Sequence, residues 1–169
     1  MHVNGIRFIN TISGHINFMT AEQIANAESS TLHNYIRQVN IIYIQWGFKV
    51  VNILTDGQFE CIRGDLSKIQ VNLNIWSNNE HVGEIERLNI TIKERSVGIC
   101  NTMPLKTVTG MMIVDIIALV VFCINALPPS PSIEGDLSPR HIFTRMTLEH
   151  TKILSNTVWG VCPSPRSTW

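Results

Sequence analysis

The spacing of apolar side chains changes period several times along the chain, and each change marks an element. Ile6-Arg7-Phe8-Ile9-Asn10-Thr11-Ile12 alternates and predicts a strand. Before it stands Asn4-Gly5, the strongest hairpin-turn signal in the sequence. The strand on the other side of that turn is only the stub Met1-His2-Val3. Ser13-Gly14-His15 reads as a second turn and residues 16–24 as a further strand, fraying toward Gln23. Ser29 or Ser30 can cap a helix beginning near Thr31. In it Leu32, Tyr35, Ile36, Val39, Ile42, Tyr43 and Trp46 recur every three or four positions and form one apolar face. Gly47 stops it. Residues 49–54 form a short apolar run ending in Thr55-Asp56-Gly57, which predicts a buried parallel strand with Asp56 at its carboxyl end. A short helix over 59–66, a strictly alternating strand over 69–75, a polar loop at 78–81 and a helix over 83–99 follow.

Residues 109–127 are the most apolar stretch and nearly long enough to span a bilayer. Asp115 and Asn125 lie inside it. An ionisable group at that depth costs roughly 2.5–3.5 kcal/mol on insertion scales, and few Lys or Arg flank the run. A helix packed on protein is the favoured reading, and a membrane anchor the alternative. Pro128-Pro129-Ser130-Pro131 ends the helix and opens a linker. Ser138-Pro139-Arg140 can start one more helical turn, and after Arg145 no clear period remains. The chain thus divides into residues 1–127, a folded unit, and 128–169, a Pro-rich linker with a poorly structured tail.

Composition narrows the field. Of 169 residues 44% are hydrophobic, which excludes a disordered chain. Thirteen basic side chains balance thirteen acidic ones, which excludes nucleic-acid binding by bulk charge and leaves room for a local phosphate site. Cys61, Cys100, Cys123 and Cys162 form no CxxC pair, so they lack zinc-site spacing and read as thiols of a reducing compartment. No secretory signal is visible, which points to the nucleus or cytoplasm rather than secretion. Asn89-Ile90-Thr91 matches a glycosylation sequon but has no meaning without that signal.

The candidate chemistry is a pair of acids. Asp56 stands beyond the carboxyl end of a parallel strand, where α/β sheets present functional groups, and Gly57 permits close approach. Glu86, Asn89 and Lys93 follow at spacings of three and four and share one helix face. Two facing carboxylates are what a divalent metal needs to activate water or a hydroxyl, and a nearby lysine can hold a phosphate. The competing reading is a turn aspartate and a solvated helix face.

Thr55-Asp56-Gly57-Gln58-Phe59-Glu60 and Glu84-Ile85-Glu86-Arg87-Leu88-Asn89-Ile90-Thr91-Ile92-Lys93-Glu94 resemble two segments of ribonuclease H-like integrase cores. With Val3-Asn4-Gly5-Ile6, Asn125-Ala126-Leu127-Pro128 and Leu137-Ser138-Pro139, the likeness extends over roughly residues 1–145 and is to copia-type LTR-retrotransposon polyproteins. The resemblance implies an α/β fold, a ribonuclease H-like mixed sheet flanked by helices, with its first strand truncated. It implies DNA as partner and DNA strand transfer as the family's activity, with carboxylates binding Mg²⁺, or Mn²⁺ in its place. Asp56 matches the second carboxylate and Glu86 the third, in preference to Glu84. Asn89 and Lys93 match positions on the DNA-facing side. Three departures stand out. Glu86 follows Asp56 by only 30 positions, Ile90 occupies a position that is often basic, and no aspartate precedes the Asn4-Gly5 turn. Asp65 and Asp115 lie in the wrong elements to replace it. A chain so reduced is expected to be inactive or severely impaired alone. A non-catalytic module that forms a homo-oligomer through residues 109–127 is the alternative. A three-residue first strand also cannot pair with both of its neighbours, so ladder bonds at the sheet centre are expected to go unmade.

Overall fold

The structure is a computed structural model that describes residues 1–68, 70–75, 83–128 and 137–146. The polar loop expected at 78–81 and the tail after Met146 lie outside the described residues. Strands β1 (His2–Val3), β2 (Ile6–Ile12) and β3 (Met19–Ile24) form an antiparallel meander. Asn4 and Gly5 both take positive φ, 47° and 79°, as a two-residue hairpin turn requires. The β1–β2 pairing extends to Met1, whose amine donates to the Phe8 carbonyl at 2.8 Å while the Phe8 N–H donates back to the Met1 carbonyl at 2.8 Å. β3 starts later than its apolar pattern suggests. The Ser13 N–H closes onto the Phe18 carbonyl, and Ile16 and Phe18 turn into the core instead of extending the ladder.

Helix α1 (Ser29–Gln45) crosses next. Its N-cap is Glu28, with no side-chain cap, so Ser29 and Ser30 sit inside the first turn. Asn26 orders that entry by accepting from Thr31 Oγ1 at 2.6 Å. Leu32, Tyr35, Ile36, Val39 and Tyr43 are buried as the spacing requires, whereas Ile42 and Trp46 are exposed at its C-terminal end. β4 (Asn52–Thr55) pairs in parallel with β5 (Asn72–Ile75) in the register Asn52↔Asn72. Between them lie a 3₁₀ segment, Gly57–Ile62, and the short helix α2, Arg63–Lys68. α3 (Gly83–Thr102), α4 (Gly110–Ala126) and α5 (Pro139–Thr144) complete the described chain.

Phe8 and Ile9 are neighbours on β2 and therefore face opposite sides of the sheet. Ile9 joins a core with α1, β5 and Phe143, and Phe8 joins one with α3 and α4. Helices thus cover both faces, which makes the architecture α/β. The run at 109–127 is α4. It buries Ile113, Ile116, Ile117, Val120 and Val121 in the second core, against α3 and the meander. Among the described residues no helix is long and apolar enough to cross a membrane. On the other side of α4, Met111 and Leu119 remain 71% and 41% exposed. α5 lies in the segment expected to be linker and tail. Ser138 caps it by accepting from the His141 N–H, and its Phe143 is 1% exposed.

The sheet is split. Among the described residues β1 pairs only with β2, and β4 only with β5. Because Phe8 bonds to Met1, the even-numbered residues of β2 direct their backbone groups to the β1 side, and Asn10 and Ile12 lie beyond the reach of so short a strand. Asn72 donates to the Val51 carbonyl, so the odd-numbered residues of β4 face β5, and Asn52 and Leu54 face an edge with no ladder among the described residues. β4 is therefore not the buried strand its composition predicts. Val51 and Leu54 are 48% and 51% exposed, and only Ile53 and Val50 pack against the α1 core. Along these open edges the Asn10 Oδ1 and Thr55 Oγ1 atoms are buried with no hydrogen-bond partner among the described residues.

Candidate functional site

Asp56 stands directly beyond β4, where the chain turns into the 3₁₀ segment. Its Oδ1 accepts from the Gln58 N–H at 3.2 Å and caps that turn, and its carbonyl accepts from Phe59. The residue is exposed. Glu86 lies in the first turn of α3 and is also exposed, as is Glu84. The helix N-terminus favours a carboxylate there, because its unpaired N–H groups carry partial positive charge.

Asn89 is one turn further. Its Oδ1 accepts from Asn10 Nδ2 at 2.6 Å, which ties α3 to β2 across 79 positions of sequence. The same Asn10 amide approaches the Met1 sulfur at 3.6 Å. Asn89 is therefore at least partly a positioning group for the helix. Lys93, one further turn along, is exposed.

The Met1 amine reports how these elements meet. Burial holds its pKa below the ordinary value, the positive charge of Lys93 lowers it further, and the negative charge of Asp56 opposes both. One group at the start of β1 therefore senses the end of β4 and the middle of α3. Asp56 and Lys93, 37 positions apart in sequence, lie within electrostatic reach of a common point.

Sequence reasoning missed the Asn10–Asn89 link, although a polar residue at the centre of an otherwise apolar strand was visible. It also missed a hydroxyl chain in which Thr11 Oγ1 meets Thr20 Oγ1 at 2.6 Å and Thr20 Oγ1 meets the Tyr35 hydroxyl at 2.7 Å.

Carboxylates are the hard oxygen donors that Mg²⁺ takes. Among the described residues, however, no group of three His, Cys, Asp or Glu side chains stands close enough to hold a metal ion. Asp56 also commits one oxygen to its own turn. The described donors therefore do not by themselves make a two-ion centre, and no metal-borne step is built on them.

The described residues thus form an α/β fold with an acid beyond a parallel strand and helices on both faces. The solved structures agree. The catalytic core domain of BIV integrase superposes with a TM-score of 0.61 at 16% sequence identity, covering 90% of this chain and 93% of that one. At that identity the likeness establishes the fold, an integrase-type catalytic-core fold, and nothing finer. No family model matches the chain, and no curated protein matches it.

Proposed function

We propose that this chain is the integrase-type core of a copia-type LTR-retrotransposon polyprotein. In this reading it is a DNA-facing domain of the nucleus or cytoplasm, severely impaired in strand transfer when alone. Asp56 and Glu86 are its two carboxylates toward a divalent cation such as Mg²⁺ or Mn²⁺. Lys93, with Asn89 beside it, faces the DNA backbone. The observation that carries the reading is the joint placement of Asp56 beyond β4 and of Glu86, Asn89 and Lys93 along α3, within a fold that matches an integrase core over 90% of the chain. What supports the impairment is that, among the described residues, no third His, Cys, Asp or Glu joins the pair to hold a metal ion.

Two measurements test this. In a nicking and strand-transfer assay with Mg²⁺ or Mn²⁺, the chain should perform no better than its Asp56→Asn variant. Activity well above that control refutes the impairment. In fluorescence anisotropy with a short duplex, binding should weaken with salt. Lys93→Ala should lower the slope of log affinity against log salt by about one contact. Absence of binding at low salt refutes the DNA-facing reading.

A further inference from the structure

A cleft of about 430 Å³ opens between the β1–β2 hairpin, α3 and α4, within the roughly 300–1,000 Å³ typical of small-molecule sites. One face of α3 supplies its wall through Lys93, Ser96, Val97 and Cys100. α4 supplies an apolar floor through Ile113 and Ile116, and His2 closes the hairpin side.

Three observations together specify a ligand. Lys93 brings a positive charge to the lining, and no aspartate or glutamate stands among its described residues. The lining is otherwise mainly aliphatic, and its Val97 is 57% exposed and open to an apolar contact. Ser96 is 95% buried, yet its hydroxyl has no hydrogen-bond partner among the described residues. A mid-helix serine ordinarily satisfies itself on the carbonyl four residues earlier, and a buried hydroxyl that does not is costly to leave unpaired. A ligand for this cleft must therefore bring an apolar body for Val97, Ile113 and Ile116 and a negative, hydrogen-bonding head for Lys93.

We propose that the cleft binds a small amphipathic anion, an aliphatic body of up to about ten non-hydrogen atoms that ends in one carboxylate. The carboxylate pairs with the Lys93 ammonium, and the aliphatic body lies along Val97 over the floor of α4. The site needs neither Asp56 nor Glu86 but shares Lys93 with the DNA-facing reading, so the comparison of octanoate with octanol on the wild-type chain, made without DNA, tests the cleft apart from that reading.

The test uses the full chain with labelled isoleucine and valine methyl groups, and three probes: octanoate, 1-octanol and inorganic phosphate. Octanoate should shift the Val97, Ile113 and Ile116 methyl resonances saturably, with half the change reached below about 1 mM. Ile41 and Ile44, exposed on α1, should not move. Octanol, with the same chain and no charge, should need at least tenfold more, and phosphate should leave the apolar floor unshifted. Lys93→Met, checked for folding by circular dichroism, should bring octanoate down to the level of octanol. Equal potency of octanoate and octanol, shifts that spread to Ile41 and Ile44, or no saturable shift at all would each overturn the proposal. The wild-type comparison decides the matter if the variant fails to fold.

Discussion

Replacing Asn125 with leucine should destabilise the fold far more than its conservative volume suggests. Asn125 sits near the end of α4, and its side-chain amide faces Met19, the first residue of β3. Its Oδ1 accepts the Met19 N–H at 2.9 Å and its Nδ2 donates to the Met19 carbonyl at 2.8 Å. Met19 stands opposite Ile12, at a position of the β2–β3 ladder whose backbone groups point away from β2. The amide of Asn125 therefore acts as a one-residue strand on the outer edge of β3. Both partners are buried, at 6% and 2% exposure, so water cannot take over. Asn125→Leu leaves one buried N–H and one buried C=O unpaired, at about 1–3 kcal/mol each, partly offset by the apolar gain of the new side chain. A net loss of about 2–4 kcal/mol is a large share of the roughly 5–15 kcal/mol of a typical domain. With a urea slope of about 1–3 kcal/mol per molar, the midpoint should fall by about 1–2 M. Hydrogen exchange at the Met19 amide should accelerate along with it. A midpoint shift under about 0.3 M at unchanged slope would refute the reasoning, because it would mean that the two bonds contribute nothing net.

Two other predictions concern the first core. Burial raises the Tyr35 pKa from 10.0 to about 12, against the opposing hydrogen bond from Thr20, and burial raises Tyr43 as well. Since the folded value lies above the unfolded one, the stabilisation is fully present below pH 10 and is lost as pH rises through 12, about 3 kcal/mol for Tyr35. Absorbance near 295 nm should show tyrosinate appearing together with loss of near-ultraviolet dichroism, and free titration at pH 10 in the folded state would contradict this. Phe143→Ala should cost about 3–5 kcal/mol, because its ring stacks on Phe18 at 4.0 Å and Phe48 at 5.3 Å and meets Tyr43 at 5.0 Å. A variant that melts within about two degrees of wild type would show that α5 is not part of the cooperative unit.

What the sequence discloses tracks how local the cause is. The strand at Ile6–Ile12 and the Asn4-Gly5 turn are written in a period of two and in a backbone conformation that Asn and Gly tolerate. α4 is equally legible, with Thr109 as its cap and an unbroken apolar helix after it. The cap of α1 was misplaced because Ser29 and Ser30 satisfy the composition rule while the extended backbone falls at Glu28. β4 looked buried because its residues are apolar, but burial depends on what lies alongside, and its second edge has no ladder among the described residues. Phe143 gives no periodic signal, since a lone aromatic in a six-residue helix finds its partners in Phe18, Tyr43 and Phe48, far back along the chain. In the candidate site, the helix face of Glu86, Asn89 and Lys93 is read directly from spacing. The commitment of the Asn89 amide to Asn10, and the shared influence of Asp56 and Lys93 on Met1, come from packing that no local pattern encodes.

The half-exposed Leu54, and the backbone groups of Asn52 and Leu54 that meet no ladder among the described residues, make β4 a ready template for another polypeptide in extended form. Concentrated solutions of this chain should therefore lose monomer through intermolecular β-zippering that begins at this strand. A single lysine at position 54 would act as a gatekeeper against it.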